Sequence, residues 1–252
     1  LARLGGIIAR PLTSDAYGLH PEDVEQAIRP VGSSHRAQTG LIAIENTSNR
    51  GGGTIVPLAR LEGLAEIARR HRVPMHMDGA RLFNAAVGLG IHVSEIARHV
   101  DSVQICMTKG LSAPLGSLLA GNQQFIDQAR RYRQMVGGGM RQAGIIAAAG
   151  IIGIKTMVDR LEEDHLNAKK LAHGLANIPG ISIDPLNINT NIVIFTLDNG
   201  KAFTVLRDLA NAGVLGSFNG SNRIRMVTHY GINSKDIDLA LGIAMKVMSN
   251  QN

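Results

Sequence analysis

Three stretches of the chain, LIAIE (41–45), VPMHMD (73–78) and SVQICM (102–107), are largely apolar on both faces, and segments with helical spacing separate them. A strand with two apolar faces needs cover above and below, which the crossover helices of a parallel sheet supply. The segment after Thr54 carries Pro57 at a first helical position, where a missing N–H costs nothing. Leu58, Leu61, Leu64, Ala65 and Ala68 then follow at helical spacing. A shorter helix is expected after Ser94, placed to cap it. GSLLA (116–120) reads as a fourth strand. The alternation predicts an α/β fold built on an open, mostly parallel sheet that binds ligands at the carboxyl ends of its strands.

From Ile145 the pattern changes. Two helices are expected between Met140 and Ala176, broken near Gly153. They are followed by ISI (181–183), NIVIFTL (191–197), a helix over Ala202–Ala212 and the strand RIRMV (223–227). The final helix should start at Asn233–Ser234, with Asp236 and Asp238 favourably placed in its first turn. Residues 1–156 are thus expected to belong to a large α/β domain. Residues 157–252 form a small C-terminal α+β domain, with Met157–Gly174 as the bridging helix.

Composition narrows the function classes. Aromatic residues make up 3% and tryptophan is absent, so the core must be built from Ala, Ile, Leu, Val and Met. The net charge is +6, and the densest basic cluster (Arg130, Arg131, Arg133) follows a helical pattern. With so few aromatics to stack on bases, a solvated helix face is the better reading than a nucleic-acid surface. The positive balance suits small anionic ligands such as a phosphate and a carboxylate. Cys106 is the only cysteine, so no intrachain disulfide forms and a reducing, cytoplasmic setting is expected. The longest apolar run, Gly144 to Ile154, falls short of the ~18–20 residues that span a bilayer. No membrane association and no metal site are expected. Residue 1 is leucine, which suggests either that the chain starts inside a longer gene or that it has been processed.

Lys109 follows Thr108 and precedes Gly110 on the turn leaving an apolar strand, with Pro114 and Gly116 close by. Such a setting suits a partly desolvated, nucleophilic amine that forms a Schiff base, although most lysines are plain surface charges. Asp78 closes the preceding strand and suits a partner for a pyridinium nitrogen, with His76 orienting it from the same face; taken alone, it suits a helix N-cap better. An amine and a carboxylate so placed are the two groups that a pyridoxal-phosphate enzyme needs most. Arg81 can grip a substrate carboxylate with two bonds or form an ion pair with Asp78. Thr108 can donate a hydrogen bond to a phosphate. In VGGGMRQAG (136–144), Arg141 at a helix start suits either a phosphate site or a surface position beside a flexible turn. Arg225 lies mid-strand among apolar neighbours, where an unpaired guanidinium is costly. Gly51–Gly53 lacks the lysine and hydroxyl of a phosphate loop and reads as a turn. No G-x-G-x-x-G follows a first strand, which excludes a nicotinamide site of the usual kind.

ENT (45–47), HMDGARLFNA (76–85), TKGLSAPLGS (108–117), GGGMRQAG (137–144) and IRMVTH (224–229) resemble the low-specificity L-threonine aldolases, of the β-eliminating lyase group of fold-type I pyridoxal-phosphate enzymes. The resemblance runs over nearly the whole chain, and GGGMRQ and R-x-VTH point to the aldolases specifically. It implies a fold-type I PLP-dependent transferase-like architecture and pyridoxal 5'-phosphate as cofactor. Lys109 would be the Schiff-base lysine and Asp78 the partner of the pyridine nitrogen. Thr108 and Arg81 would line the cofactor, and Arg81 and Arg225 would hold the substrate carboxylate. Arg141 would contact the phosphate across a subunit boundary, in a homodimer or homotetramer with active sites at the interface. The implied reaction is retro-aldol cleavage of L-threonine or L-allo-threonine to glycine and an aldehyde. The small residues around Lys109 set no visible limit on the β-substituent. The resemblance also implies roughly eighty residues upstream of Leu1, carrying the phosphate loop, a ring-stacking histidine and a catalytic histidine. The chain as given would then be most of an enzyme and inert alone. Gln134 stands where many members carry a lysine. Alternatives are β-elimination or transamination on the same cofactor, or an inactive fragment; GGGMRQ favours the aldolase.

Overall fold

The computed structural model describes residues 2–32, 35–198 and 200–250; Leu1 lies outside them. Two four-stranded sheets organise the chain. The first holds β1 (Ile42–Glu45), β2 (Met75–Asp78), β3 (Ser102–Cys106) and β4 (Ser117–Gly121) in that order. β1, β2 and β3 run parallel, and β4 pairs antiparallel with β3. Short helices α1 (Ala2–Gly5) and α2 (Pro21–Ala27) precede this sheet; α3 (Leu58–His71) connects β1 to β2, and α4 (Leu82–Leu89) and α5 (Val93–Ala97) connect β2 to β3. After β4 come α6 (Gln123–Met135), α7 (Gly144–Thr156) and α8 (Leu161–Leu175). The second sheet holds β5 (Ile181–Ser182), β6 (Ile192–Leu197), β7 (Ser217–Phe218) and β8 (Arg223–Val227), antiparallel in the order β5-β6-β8-β7. α9 (Ala202–Asn211) and α10 (Ser234–Ser249) complete that layer.

The parallel strands do not bury both faces as their composition suggested. Ile42 stands beside Met75, and Met77 stands between Ile44 and Val103, all buried in one core with Leu61, Leu64, Ala65, Ile67 and Ala68 of α3. Burying each of the Ile, Leu, Met and Val side chains contributes about 1.5–3 kcal/mol. The opposite face carries the rows Ala43–His76–Ser102 and Glu45–Asp78–Gln104. The strands therefore alternate, and the polar and small positions of β2 and β3 form the second face. β4 is exposed along its whole length, α6 has no buried residue, and α7 buries only Gly153. Met135 (77%), Ile145 (81%) and Ile152 (61%) leave a large apolar surface open.

Other boundaries moved for local reasons. Ser94 sits inside α5, and the cap is His92, whose ring accepts from the Ser94 amide. The break expected near Gly153 falls at 157–160. Gly153 stays helical, and its lack of a side chain admits Leu111, whose carbonyl oxygen would lie 2.9 Å from an added Cβ. β7 and α2 gave too short a periodic signal to be read. At α10 the expected start is right: Asn233 and Asp236 form a reciprocal capping box, while Asp238 pairs with Lys170 on α8.

The second sheet packs Val193, Phe195, Leu197, Ile224 and Met226 against α8, α9 and α10. Its other face carries Ile194, Thr196, Arg223 and Arg225. That face meets the first layer at the turn over 51–53, where the Thr190 hydroxyl donates to the Gly53 carbonyl (2.7 Å) and the Ile55 amide donates to Asn189 (3.2 Å).

Two glycines separate close packing from mere flexibility. Gly79 donates its amide to the Gln104 carbonyl (2.8 Å), and a Cβ there would meet that oxygen at 2.9 Å and Val103 at 2.8 Å. Gly242, inside α10, has nothing within 4 Å. Gly79→Ala is expected to destabilise by about 1–3 kcal/mol through overpacking, and Gly242→Ala to stabilise by about 0.5–1 kcal/mol through helix propensity. Denaturant unfolding of both variants checks the pair; equal effects would show that Gly79 is not a packing glycine.

Candidate active site

The carboxyl ends of β1, β2 and β3 lie side by side, and the candidate residues leave from them. Asp78 ends β2 exposed, with Oδ1 accepting the Ala80 amide at 3.0 Å. This bond turns the chain without starting a helix: α4 begins at Leu82, with Arg81 in the cap position. The N-cap alternative for Asp78 is therefore not realised. His76 forms no bond to Asp78 that would orient it directly; its Nδ1 pairs with Ser102 Oγ at 2.8 Å. Burial lowers the His76 pKa, and the Asp78 charge partly offsets that. His76 thus works as a neutral support under the strand end.

Lys109 follows β3. The turn is anchored by buried Met107, Leu111 and Ala113 and closed by bonds from Ser112 to the Lys109 carbonyl (2.9 Å) and from Ala113 to the Met107 carbonyl (2.9 Å). Gly110 is needed for close approach, since a Cβ there would meet Leu161 at 2.6 Å and Asn84 at 3.2 Å. Thr108 and Lys109 themselves are exposed, so the flanking glycines and proline do not desolvate the amine as expected. The Thr108 hydroxyl lies 3.3 Å from Cys106 Sγ.

Arg81 makes no ion pair with Asp78. Its Nη1 donates to Asn49 Oδ1 (3.3 Å), and Arg225 Nη2 donates to the same oxygen (3.1 Å). Two arginines far apart in sequence thus meet at one neutral acceptor. Burial lowers the pKa of both, and for Arg81 the Arg225 charge adds to the shift; both guanidiniums nonetheless remain charged. Arg225 Nε is buried without a partner. Like charges held close, with one donor unsatisfied, make a place where an anion is favoured. Arg141 is exposed in the turn before α7, with no bond to Lys109 or Thr108 among the described residues.

Sequence reasoning missed Asn49, which is uncharged and sits between two motifs that drew attention. It also missed Asn84 on α4 and His165 on α8, whose side chains meet at 3.1 Å behind Gly110. A cleft of about 620 Å³ is lined by Asp15, Arg50, Asp184, Thr196 and Arg223. It includes none of the candidate residues. No group of acidic, histidine or cysteine side chains fit to hold a metal occurs among the described residues.

The model of the beta-eliminating lyase family matches residues 1–198. Low-specificity L-threonine aldolase 1 of Arabidopsis thaliana is 37% identical over 253 residues, covering 98% of this chain and 71% of that protein. The chain belongs to the beta-eliminating lyase family, in its low-specificity L-threonine aldolase group. Solved structures agree on the fold: the Leishmania major threonine aldolase superposes with a TM-score of 0.71 at 20% identity, covering 92% of this chain and 68% of that one. A structure of SPT with PLP superposes at 0.67 and 18% identity, covering 91% and 59%. The architecture is the fold-type I one, with a mixed, mostly parallel sheet.

In this beta-eliminating lyase the layer behind the lysine turn is expected to lose stability in acid. Burial, with Lys169 nearby, pushes the His165 pKa from 6.5 down to about 4. The unfolded chain takes up a proton there that the folded chain refuses. Stability is therefore expected to fall as pH drops from 6.5 toward 4, by up to about 3 kcal/mol from this group. Urea unfolding across that range should show the slope, and His165→Gln should flatten it; an unchanged slope would assign the effect elsewhere.

Proposed function

We propose that the protein cleaves L-threonine, L-allo-threonine and related β-hydroxy-α-amino acids to glycine and an aldehyde, using pyridoxal 5'-phosphate. The observation that carries this reading is the meeting of Arg81 and Arg225 at the edge where Asp78 and Lys109 leave adjacent strands. The donor set fits the cofactor. Lys109 offers an accessible amine, and Asp78 keeps one oxygen clear of its Ala80 bond to face a ring nitrogen. The unpartnered Arg225 Nε awaits an acceptor. Thr108 and Arg141 are the donors on this chain suited to the phosphate.

Arg81 and Arg225 hold the substrate carboxylate, which orients the Cα–Cβ bond for cleavage. Asp78 keeps the proton on the ring nitrogen, and His76 braces its strand from Ser102. Bound pyridoxal phosphate supplies the sink for the electrons of the breaking bond. A base takes the β-hydroxyl proton, the Cα–Cβ bond breaks, the aldehyde leaves, and a proton returned to Cα yields glycine. The exposed apolar surface of β4, α6 and α7, adjoining Arg141, supports a homo-oligomer, dimer or tetramer, with active sites at the subunit boundary. No helix among the described residues is long and apolar enough to cross a membrane. A lone cysteine and a small polar substrate support a cytoplasmic enzyme of threonine breakdown and glycine supply.

L-threonine incubated with the cofactor-loaded full-length protein should yield glycine and acetaldehyde one to one. Ammonia with a keto acid would instead point to β-elimination. Borohydride treatment followed by peptide mapping should mark the Lys109 peptide; a mark on Lys155 or Lys169 would overturn that assignment. Arg225→Ala should lower kcat/KM by on the order of 100-fold with cofactor absorbance intact. Arg223→Ala, an exposed neighbour on the same strand face, should change it little.

A further inference from the structure

Asn49 lies where the two layers meet, on a turn with little freedom. Its neighbour Ser48 pairs with Thr54 (amide to carbonyl, 2.9 Å), the Gly53 amide donates to Ser48 (2.7 Å), and the Gly52 amide donates to the Asn49 carbonyl (3.3 Å). The Ser48 hydroxyl accepts the Gly51 amide (3.1 Å), and the Thr54 hydroxyl donates to the Ala16 carbonyl. The triple glycine is what permits this packing. Gly52 and Gly53 take positive φ (81° and 78°), and a Cβ on Gly51 would meet Thr54 Oγ1 at 2.7 Å and Ala16 O at 2.9 Å. Thr190 of the second layer closes the turn through Gly53. The side chain of Asn49 is thus presented from a fixed platform to Arg81 on one layer and Arg225 on the other.

We propose that Asn49 is a positioning residue, whose neutral side-chain oxygen gathers the two guanidiniums while leaving their combined charge for a substrate carboxylate. This rests on the aldolase reading only for the identity of that carboxylate. The choice of amide over acid is the decisive point. An aspartate would pair with both arginines and satisfy them itself, removing the anion site. Asparagine accepts one hydrogen bond from each and adds no charge. With Nη2 of Arg225 anchored on Asn49, the buried and unpartnered Nε remains as a donor for the ligand. An arginine meets a carboxylate best through two parallel N–H bonds, so fixing the planar group selects the approach as well as the affinity.

The test uses cofactor-loaded protein with Asn49→Asp and Asn49→Ala, and two ligands titrated by cofactor absorbance: glycine, and 1-amino-2-propanol, which has threonine's amine and hydroxyl without its carboxylate. Asn49→Asp is expected to weaken glycine by more than about tenfold and to raise the L-threonine KM similarly. Asn49→Ala should weaken glycine by roughly threefold to tenfold, because the arginines lose their common anchor. Binding of the carboxylate-free amine should change by less than about twofold in both. Tm should hold, since Asn49 is exposed. Equal losses for glycine and the amine, a lowered Tm with collapse of cofactor binding, or an unchanged glycine affinity in Asn49→Asp would each overturn the assignment. A wild-type protein that binds glycine but does not cleave L-threonine would overturn the aldolase reading, and selective glycine loss in that same protein would still support the role of Asn49.

Discussion

The burial of Ile42, Ile44, Met75, Met77 and Val103 against α3 sets the register of the parallel strands, and the candidate site inherits its geometry from that register. Side chains alternate along a strand, so a slip of one residue would turn Met77 outward and Asp78 inward. The aliphatic face therefore does more than contribute stability. It directs His76 and Asp78 to the opposite face and sets Asp78, at the end of β2, beside Gln104 of β3, the strand from which the Lys109 turn emerges. Gly79 extends the same logic by one residue, since only glycine lets the chain pass Gln104 as it leaves the sheet.

The second constraint is the docking of the antiparallel layer. Arg81 and Arg225 meet only because the face of β8 that carries Arg225 turns toward the first sheet. The polar ties Thr190–Gly53 and Asn189–Ile55 hold it there. Thr228 adds to this from behind, its buried hydroxyl donating to the Asp164 carbonyl at 2.6 Å. Asp164 is itself fully buried and bound twice by Arg160, a pair that would be costly to break by removing one partner. The R-x-V-T-H segment so carries two duties: Arg225 faces the site and Thr228 fastens the strand that presents it.

Much of this was legible in the chain. The strand cores, the α3 pattern, the Asn233 cap and the turn nature of Gly51–Gly53 follow from periodicity and turn chemistry, which are local. The family was legible because its motifs are long and occur in order. The misreadings share one cause. Ser94 as a cap, a break near Gly153, His76 orienting Asp78 and the alternative of an Arg81–Asp78 ion pair are all sensible local partnerships. In each case a neighbour distant in sequence, or a competing local acceptor such as His92, offered a better one: Leu111 for Gly153, Ser102 for His76, Asn49 for Arg81.

By itself the sequence determined the alternation of strands and helices and the family to which the chain belongs, and it named the candidate amine, carboxylate and guanidinium groups, because each is written in short-range pattern or in residue type. Only the tertiary structure decided which face of the sheet is polar, which partners His76 and Arg81 take, and that Asn49 stands between two arginines. Those outcomes depend on contacts between segments up to 176 residues apart. Such contacts form when whole layers bury their apolar faces, and no local propensity encodes them.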